Sequence, residues 1–129
     1  MLSGSQRAAQ RTSLGRRGEQ YAAGLYRKAG ATILATNVRY AVGELDLIVR
    51  EVDGTIVFVE VKTRSSANYG VAEAVTARKL TRMRKAASQW LRGIEGPSLA
   101  TVRFDVMALT STHKGFEVDY YRDVRHGAG

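Results

Sequence analysis

Glu44-Leu45-Asp46-Leu47-Ile48-Val49 and Thr55-Ile56-Val57-Phe58-Val59-Glu60-Val61-Lys62, separated by a segment ending in Asp53-Gly54, decide the fold of this chain. Val, Ile and Phe favour extended backbone, and Asp-Gly is a strong hairpin signal. Both runs are apolar at successive positions rather than at alternate ones. Strands of that kind are covered on both faces and belong in the centre of a sheet flanked by helices. Asp46, Glu60 and Lys62 stand out against this background. A lone buried carboxylate is costly, so such groups are paired, bound to metal or set at a solvent-filled cleft.

Outward from the hairpin, the spacing of Leu14, Gly18, Tyr21, Ala22, Leu25, Tyr26 and Ala29 predicts a helix over Leu14 to Ala29, with Gly30 as its stop. Ala31 to Arg39 reads as a strand. A second long helix begins between Val71 and Ala77, with Thr76 as candidate N-cap. Its apolar stripe runs through Leu80, Met83, Ala87, Trp90, Leu91 and Ile94, and Gly93, Gly96 and Pro97 end it. Trp90 falls on this stripe and reads as core rather than as a platform for a base. Strands over about Ala100 to Leu109 and Phe116 to Tyr121 complete the order α-β-β-β-α-β-β. The expectation is one α/β domain over 14–121, a mixed sheet flanked by two long helices, between a flexible basic N-terminal tail (1–13) and a C-terminal tail (122–129).

Register decides whether the acids can cooperate. Alternation puts Glu60 and Lys62 on one face, and Glu44 and Asp46 on one face. A two-residue Asp53-Gly54 turn pairs Asp46 with Val61 and sends the carboxylates of Asp46 and Glu60 to opposite faces. A three-residue loop, Val52-Asp53-Gly54 with Gly54 left-handed, pairs Asp46 with Glu60 instead. In that register two carboxylates from neighbouring strands, with a lysine beside them, make a hard-oxygen site for Mg²⁺ or Mn²⁺ and suit phosphoryl chemistry. Taken singly, Asp46, Glu60 and Lys62 each read first as part of a structural buried ion pair; taken together with Glu19 and the net charge, they favour the metal site. Glu19, at the edge of the first helix's apolar stripe, is a further acid that can face the same cleft.

Charge points the same way. The 129 residues carry a formal net charge of +8 and no cysteine, with a pI near 10.2. A charge of this size favours a polyanion. The basic residues are spread through a folded domain, so nucleic acid ranks above an anionic membrane. Without cysteine there are neither disulfides nor thiolate zinc sites. His113 and His126 have no metal-ligand spacing. No apolar run reaches membrane-spanning length and no secretory leader is visible, which makes cytoplasmic residence the expectation. Arg78, Arg82, Lys85 and Arg92 form a basic stripe on the second helix, either a solvated face or a phosphate-tracking surface. Arg16, Arg17, Arg39 and Arg64 surround the proposed cleft in sequence.

Gly18-Glu19, Asn37-Val38-Arg39, Gly43-Glu44-Leu45-Asp46-Leu47-Ile48, Phe58-Val59-Glu60-Val61-Lys62-Thr63-Arg64 and Glu73-Ala74-Val75 with Lys79 together resemble the YraN-like family, over roughly Leu14 to Leu109. That family is similar to the archaeal Holliday junction resolvases of the PD-(D/E)xK nuclease superfamily. The resemblance implies a restriction-endonuclease-like core and metal ligands at Asp46, Glu60 and the Val61 main-chain carbonyl. It also implies a catalytic Lys62, an accessory acid at Glu19, and Lys79 among the phosphate-binding residues. Leu45, not proline, precedes Asp46. The expected function is a Mg²⁺- or Mn²⁺-dependent DNA endonuclease, on branched or otherwise structured DNA. The alternatives are a nucleic-acid-binding protein that keeps the nuclease scaffold to hold DNA, or another partner, with little or no turnover, and an RNA- or ribosome-associated basic protein. By analogy with resolvases, which make two cuts in a symmetric junction, a homodimer is expected.

Overall fold

The computed structural model describes residues 3–65, 76–94 and 101–124. The expected loop up to Gly70, Glu73-Ala74-Val75, the Gly96-Pro97 stop, His126 and most of the expected C-terminal tail lie outside the described residues. The elements are α1 (Gly4–Lys28), β1 (Thr32–Tyr40), β2 (Gly43–Arg50), β3 (Ile56–Ser65), α2 (Ala77–Gly93), β4 (Val102–Thr112) and β5 (Gly115–Tyr121). The order α-β-β-β-α-β-β and the mixed sheet are as expected. Five strands lie in the order β1-β2-β3-β4-β5, antiparallel throughout except for the parallel β3–β4 pair. The β3–β4 connection carries α2, as a parallel crossover requires.

The first helix begins at Gly4, ahead of the Leu14 start that the apolar spacing predicts. Ser3 accounts for the difference. Its hydroxyl accepts from the Gln6 N–H at 3.1 Å, and the Gln6 side chain accepts from the Ser3 N–H at 2.8 Å. This capping box satisfies two otherwise orphan donors and starts the helix ahead of its apolar stripe. At the other end Gly30 takes a φ of 92°, the left-handed geometry expected of a helix stop.

The helices cover opposite faces of the sheet. Ala22, Ala23 and Tyr26 of α1 pack on Leu47, Val49, Val57, Val59, Val61, Met107 and Leu109. Met83, Ala86 and Ala87 of α2 pack on Leu45, Ile48, Ile56 and Phe58, with Trp90 against this layer. The Trp90 ring meets Phe58 edge-on at 6.0 Å, so Trp90 is core. Every residue from Ile56 to Val61 is buried, which explains the unbroken apolar run. The sheet's outer strands are more open: β5 is exposed along its length except at half-buried Phe116.

Candidate functional site

The β2–β3 turn adopts the register that the site demands. The Glu51 N–H donates to the Thr55 carbonyl and the Gly54 N–H to the Glu51 carbonyl, both at 2.9 Å. Gly54 has a φ of 92°. This is the three-residue loop, and it pairs Arg50 with Ile56, Val49 with Val57, Ile48 with Phe58 and Leu47 with Val59. Carried one step further, this register would set Asp46 opposite Glu60, but the last pair is Leu47 with Val59. There the ladder stops. The Val61 N–H donates to Asp46 Oδ2 at 2.7 Å, so a carboxylate takes the place of a strand carbonyl and the hairpin opens.

Strand β2 also slips at this point. Leu45 and Ile48 both reach the α2-side core, while Leu47 reaches the α1-side core. Opposite Asp46 in the ladder, Asn37 of β1 is left-handed with a φ of 51°. Local irregularity of this kind re-aims a side chain at a strand end.

Two glycines bring the helices onto the opened hairpin. A Cβ on Gly18 would collide with the Thr63 side chain, so the small residue lets α1 press against the end of β3. A Cβ on Gly43 would lie 2.5 Å from the Arg82 carbonyl oxygen, so the start of β2 sits directly under α2. Thr76 caps α2 by accepting from the Lys79 N–H at 3.1 Å. The result is a cleft of about 410 Å³ whose lining includes Glu44, Asp46, Glu60, Arg78, Lys79 and Arg82.

Within it, Glu60 is buried at 7% exposure. Lys79 Nζ lies 2.6 Å from Glu60 Oε1, and Lys62 Nζ lies 3.8 Å from the same oxygen. Asp46 has its pKa pushed up to about 7. Burial is the largest cause, and the negative charge of Glu60 and then Glu19 adds to it. The Val61 N–H and the charge of Lys79 act in the opposite sense. Asp46 on β2 thus lies within electrostatic reach of the acids foreseen on β3 and α1. Among the described residues, no three or more Asp, Glu or His side chains cluster closely enough to hold a metal.

Of the basic residues singled out, Arg78 and Arg82 line the cleft, and Lys85 is exposed further along α2. Arg16, Arg17 and Arg39 are exposed. The Arg64 guanidinium is engaged within the fold, donating to Thr110 Oγ1 at 2.9 Å and lying 3.6 Å from Asp119. Lys79, grouped with the phosphate-binding residues, is instead the shortest ionic partner of Glu60.

A second polar cluster escaped the sequence reading. Asp105, fully buried on β4, accepts from Tyr26 (2.8 Å), Tyr120 (2.6 Å), the Asp123 N–H (3.0 Å) and Arg103 Nε (2.9 Å). Arg103 also donates to both oxygens of Glu51, at 2.6 and 3.0 Å. Burial alone would raise the Asp105 pKa, but these donors outweigh it and hold the carboxyl below its usual range. Arg103 and Asp105 alternate with Phe104 and Val106 in an apolar strand. The anomaly that marks Asp46 and Glu60 marks them too.

No helix among the described residues is long and apolar enough to cross a membrane. The model of the uncharacterised protein family UPF0102 matches residues 18–109. A UPF0102 protein of Corynebacterium efficiens is 47% identical over 121 residues, 92% of this chain and 97% of the relative. One from Corynebacterium glutamicum is 48% identical over the same shares. One from Desulfitobacterium hafniense is 40% identical over 100 residues, 77% of this chain and 82% of the relative.

Proposed function

From its membership of the UPF0102 (YraN) family, to which this chain belongs, and from the chemistry of the cleft, we propose that the protein is a divalent-metal-dependent DNA endonuclease acting on branched or otherwise structured DNA. The observation that carries this reading is the meeting of Asp46 and Glu60 at the opened end of the β2–β3 hairpin, beside Lys62 and under the basic start of α2. The resemblance to Holliday junction resolvases supports it.

The donor set fits a hard divalent ion. The Asp46 and Glu60 carboxylates and the Val61 carbonyl are all oxygen, and a cation offsets both the burial that chiefly lifts Asp46 and the negative charge of Glu60 that adds to it. These are the residues that would hold Mg²⁺ or Mn²⁺, and Mg²⁺ commonly keeps several of its own waters beside one or two carboxylates. When bound, such an ion neutralises phosphate charge and acidifies a water. Lys62 is then the cation that stabilises charge growing on the phosphate. Arg78 and Arg82 hold flanking phosphates, and Glu19 adds negative charge near Asp46 that favours cation uptake. A homodimer remains part of the proposal by analogy alone, because a junction needs two cuts.

The test is cleavage of linear, nicked, flapped and four-way DNA with Mg²⁺ and with Mn²⁺. Asp46→Asn and Glu60→Gln are each expected to lower cleavage by about a hundredfold or more, while circular dichroism and metal-free DNA binding stay unchanged. One observation favours a second reading: Glu60 is already neutralised by Lys79 at 2.6 Å. If every DNA is bound and none is cut, the protein is a binding module on a nuclease scaffold.

A further inference from the structure

Lys79 and Lys62 approach the same atom, Glu60 Oε1, at 2.6 and 3.8 Å. The nearer of the two comes from the helix, not from the strand that carries Glu60. Its backbone is fixed: the Lys79 N–H is tied to the Thr76 hydroxyl, and α2 rests on Gly43 at the Arg82 carbonyl. Its side chain is not enclosed, remaining 37% exposed against 9% for that of Glu60. The Lys79 charge also reaches Asp46. One flexible ammonium therefore pairs with Glu60 from a position that solvent can enter, with Asp46 within reach of its charge.

We propose that Lys79 is a built-in counter-ion that occupies the cation position of the Asp46–Glu60 pair, competes with a divalent ion for Glu60, and withdraws into the cleft when that ion binds. The inference rests on the metal-binding part of the proposed function, and it does not require that DNA be cut. Its physical basis is short. A buried carboxylate needs a partner, and a lysine ammonium on four rotatable bonds can be exchanged for an ion without moving the backbone. The released ammonium then stands beside Arg78 and Arg82, where the third positive charge lies along a phosphate path. Lys79 is on this account a positioning residue for the acids in the metal-free protein.

The experiment is Mn²⁺ binding to the full chain, followed by electron paramagnetic resonance of the free ion. Lys79→Met is expected to bind Mn²⁺ about tenfold more tightly than the wild type, since a charged hydrogen bond of this kind no longer competes. Lys79→Arg should not gain affinity. Lys114→Met removes one exposed positive charge from the β4–β5 turn and should leave the affinity unchanged. Unchanged or weaker binding by Lys79→Met overturns the proposal, as does absence of Mn²⁺ binding by the wild type. A second readout needs no variant. The Lys79 side-chain ammonium should give a protected nitrogen resonance in the metal-free protein and lose that protection on adding Mg²⁺. A resonance that Mg²⁺ leaves unaltered, or one never protected, also overturns it. A protein that shows both effects yet cuts no DNA keeps this inference and loses the nuclease reading. One that cuts DNA while Lys79→Met binds Mn²⁺ as the wild type does the reverse.

Discussion

Asp46 is a carboxyl in conflict with its surroundings, and the conflict has a thermodynamic signature. Its pKa rises from the ordinary 3.8 to about 7 in the folded chain. Between those values the folded protein holds a proton that the unfolded chain has released, so stability falls as pH rises through this window. Asparagine keeps an oxygen for the Val61 N–H and carries no charge. In metal-free buffer, Asp46→Asn should therefore melt above the wild type at pH 8, with the gap shrinking as pH falls towards 4. Thermal melts across that range check it, and a gap independent of pH would contradict it. Asp46 and Glu60 were legible in the sequence because each interrupts an apolar strand. Lys79 was legible as a phosphate-binding residue of α2, not as the partner of Glu60. Which helical turn overlies Glu60 depends on how closely Gly43 lets α2 approach, and no local pattern encodes that distance.

At the level of elements, the Val52-Asp53-Gly54 turn shows how far local chemistry reaches. The sequence left two registers open, and the left-handed Gly54 goes with the three-residue loop, whose pairing runs from Arg50 with Ile56 to Leu47 with Val59, one step short of Asp46 and Glu60. Thr76 was likewise readable as the cap of α2. The early start of α1 was not, because its first turns depend on the Ser3–Gln6 capping box rather than on apolar spacing. Helix α2 divides its labour by face: Leu80, Met83, Ala86 and Ala87 are buried, and Arg78, Arg82 and Lys85 are exposed. Reversing those three charges together should weaken DNA binding across all sequences and flatten its salt dependence, since fewer counterions are released. The melting temperature should barely move, because exposed charges contribute little to stability. Binding isotherms at several salt concentrations give the slope, and a slope equal to that of the wild type would exclude this face.

For the whole molecule, the cluster around Asp105 joins α1, the β2–β3 turn, β4 and β5 through one carboxylate and one guanidinium. Asp105→Ala leaves Arg103 and two tyrosines without their shared acceptor, and breaking a buried pair of this kind costs about 3–5 kcal/mol. Urea denaturation should show that loss, while metal-free DNA binding by the remaining folded protein stays at the wild-type level. Fold class and strand order followed from the apolar pattern. The cluster left one mark, Arg103 and Asp105 interrupting an apolar strand; its other members, from Tyr26 to Asp123, meet them only in three dimensions.

The parallel β3–β4 seam, which joins Ile56 to Val102 across α2, also imposes a sequence of events in time. The β1–β2–β3 meander closes through short turns, whereas the seam must first close a long loop, an entropic cost that slows its formation. A chain emerging from the ribosome as far as Ser65 already holds Asp46 and Glu60, but Lys79 is yet to come, and Glu51 awaits Arg103. The nearest cation of Glu60 and the guanidinium that meets Glu51 thus come from the second half of the polypeptide, while Lys62, the farther partner of Glu60, arrives with β3. A nascent chain stalled before β4 would present an uncovered β3 edge, the state most open to mispairing and proteolysis.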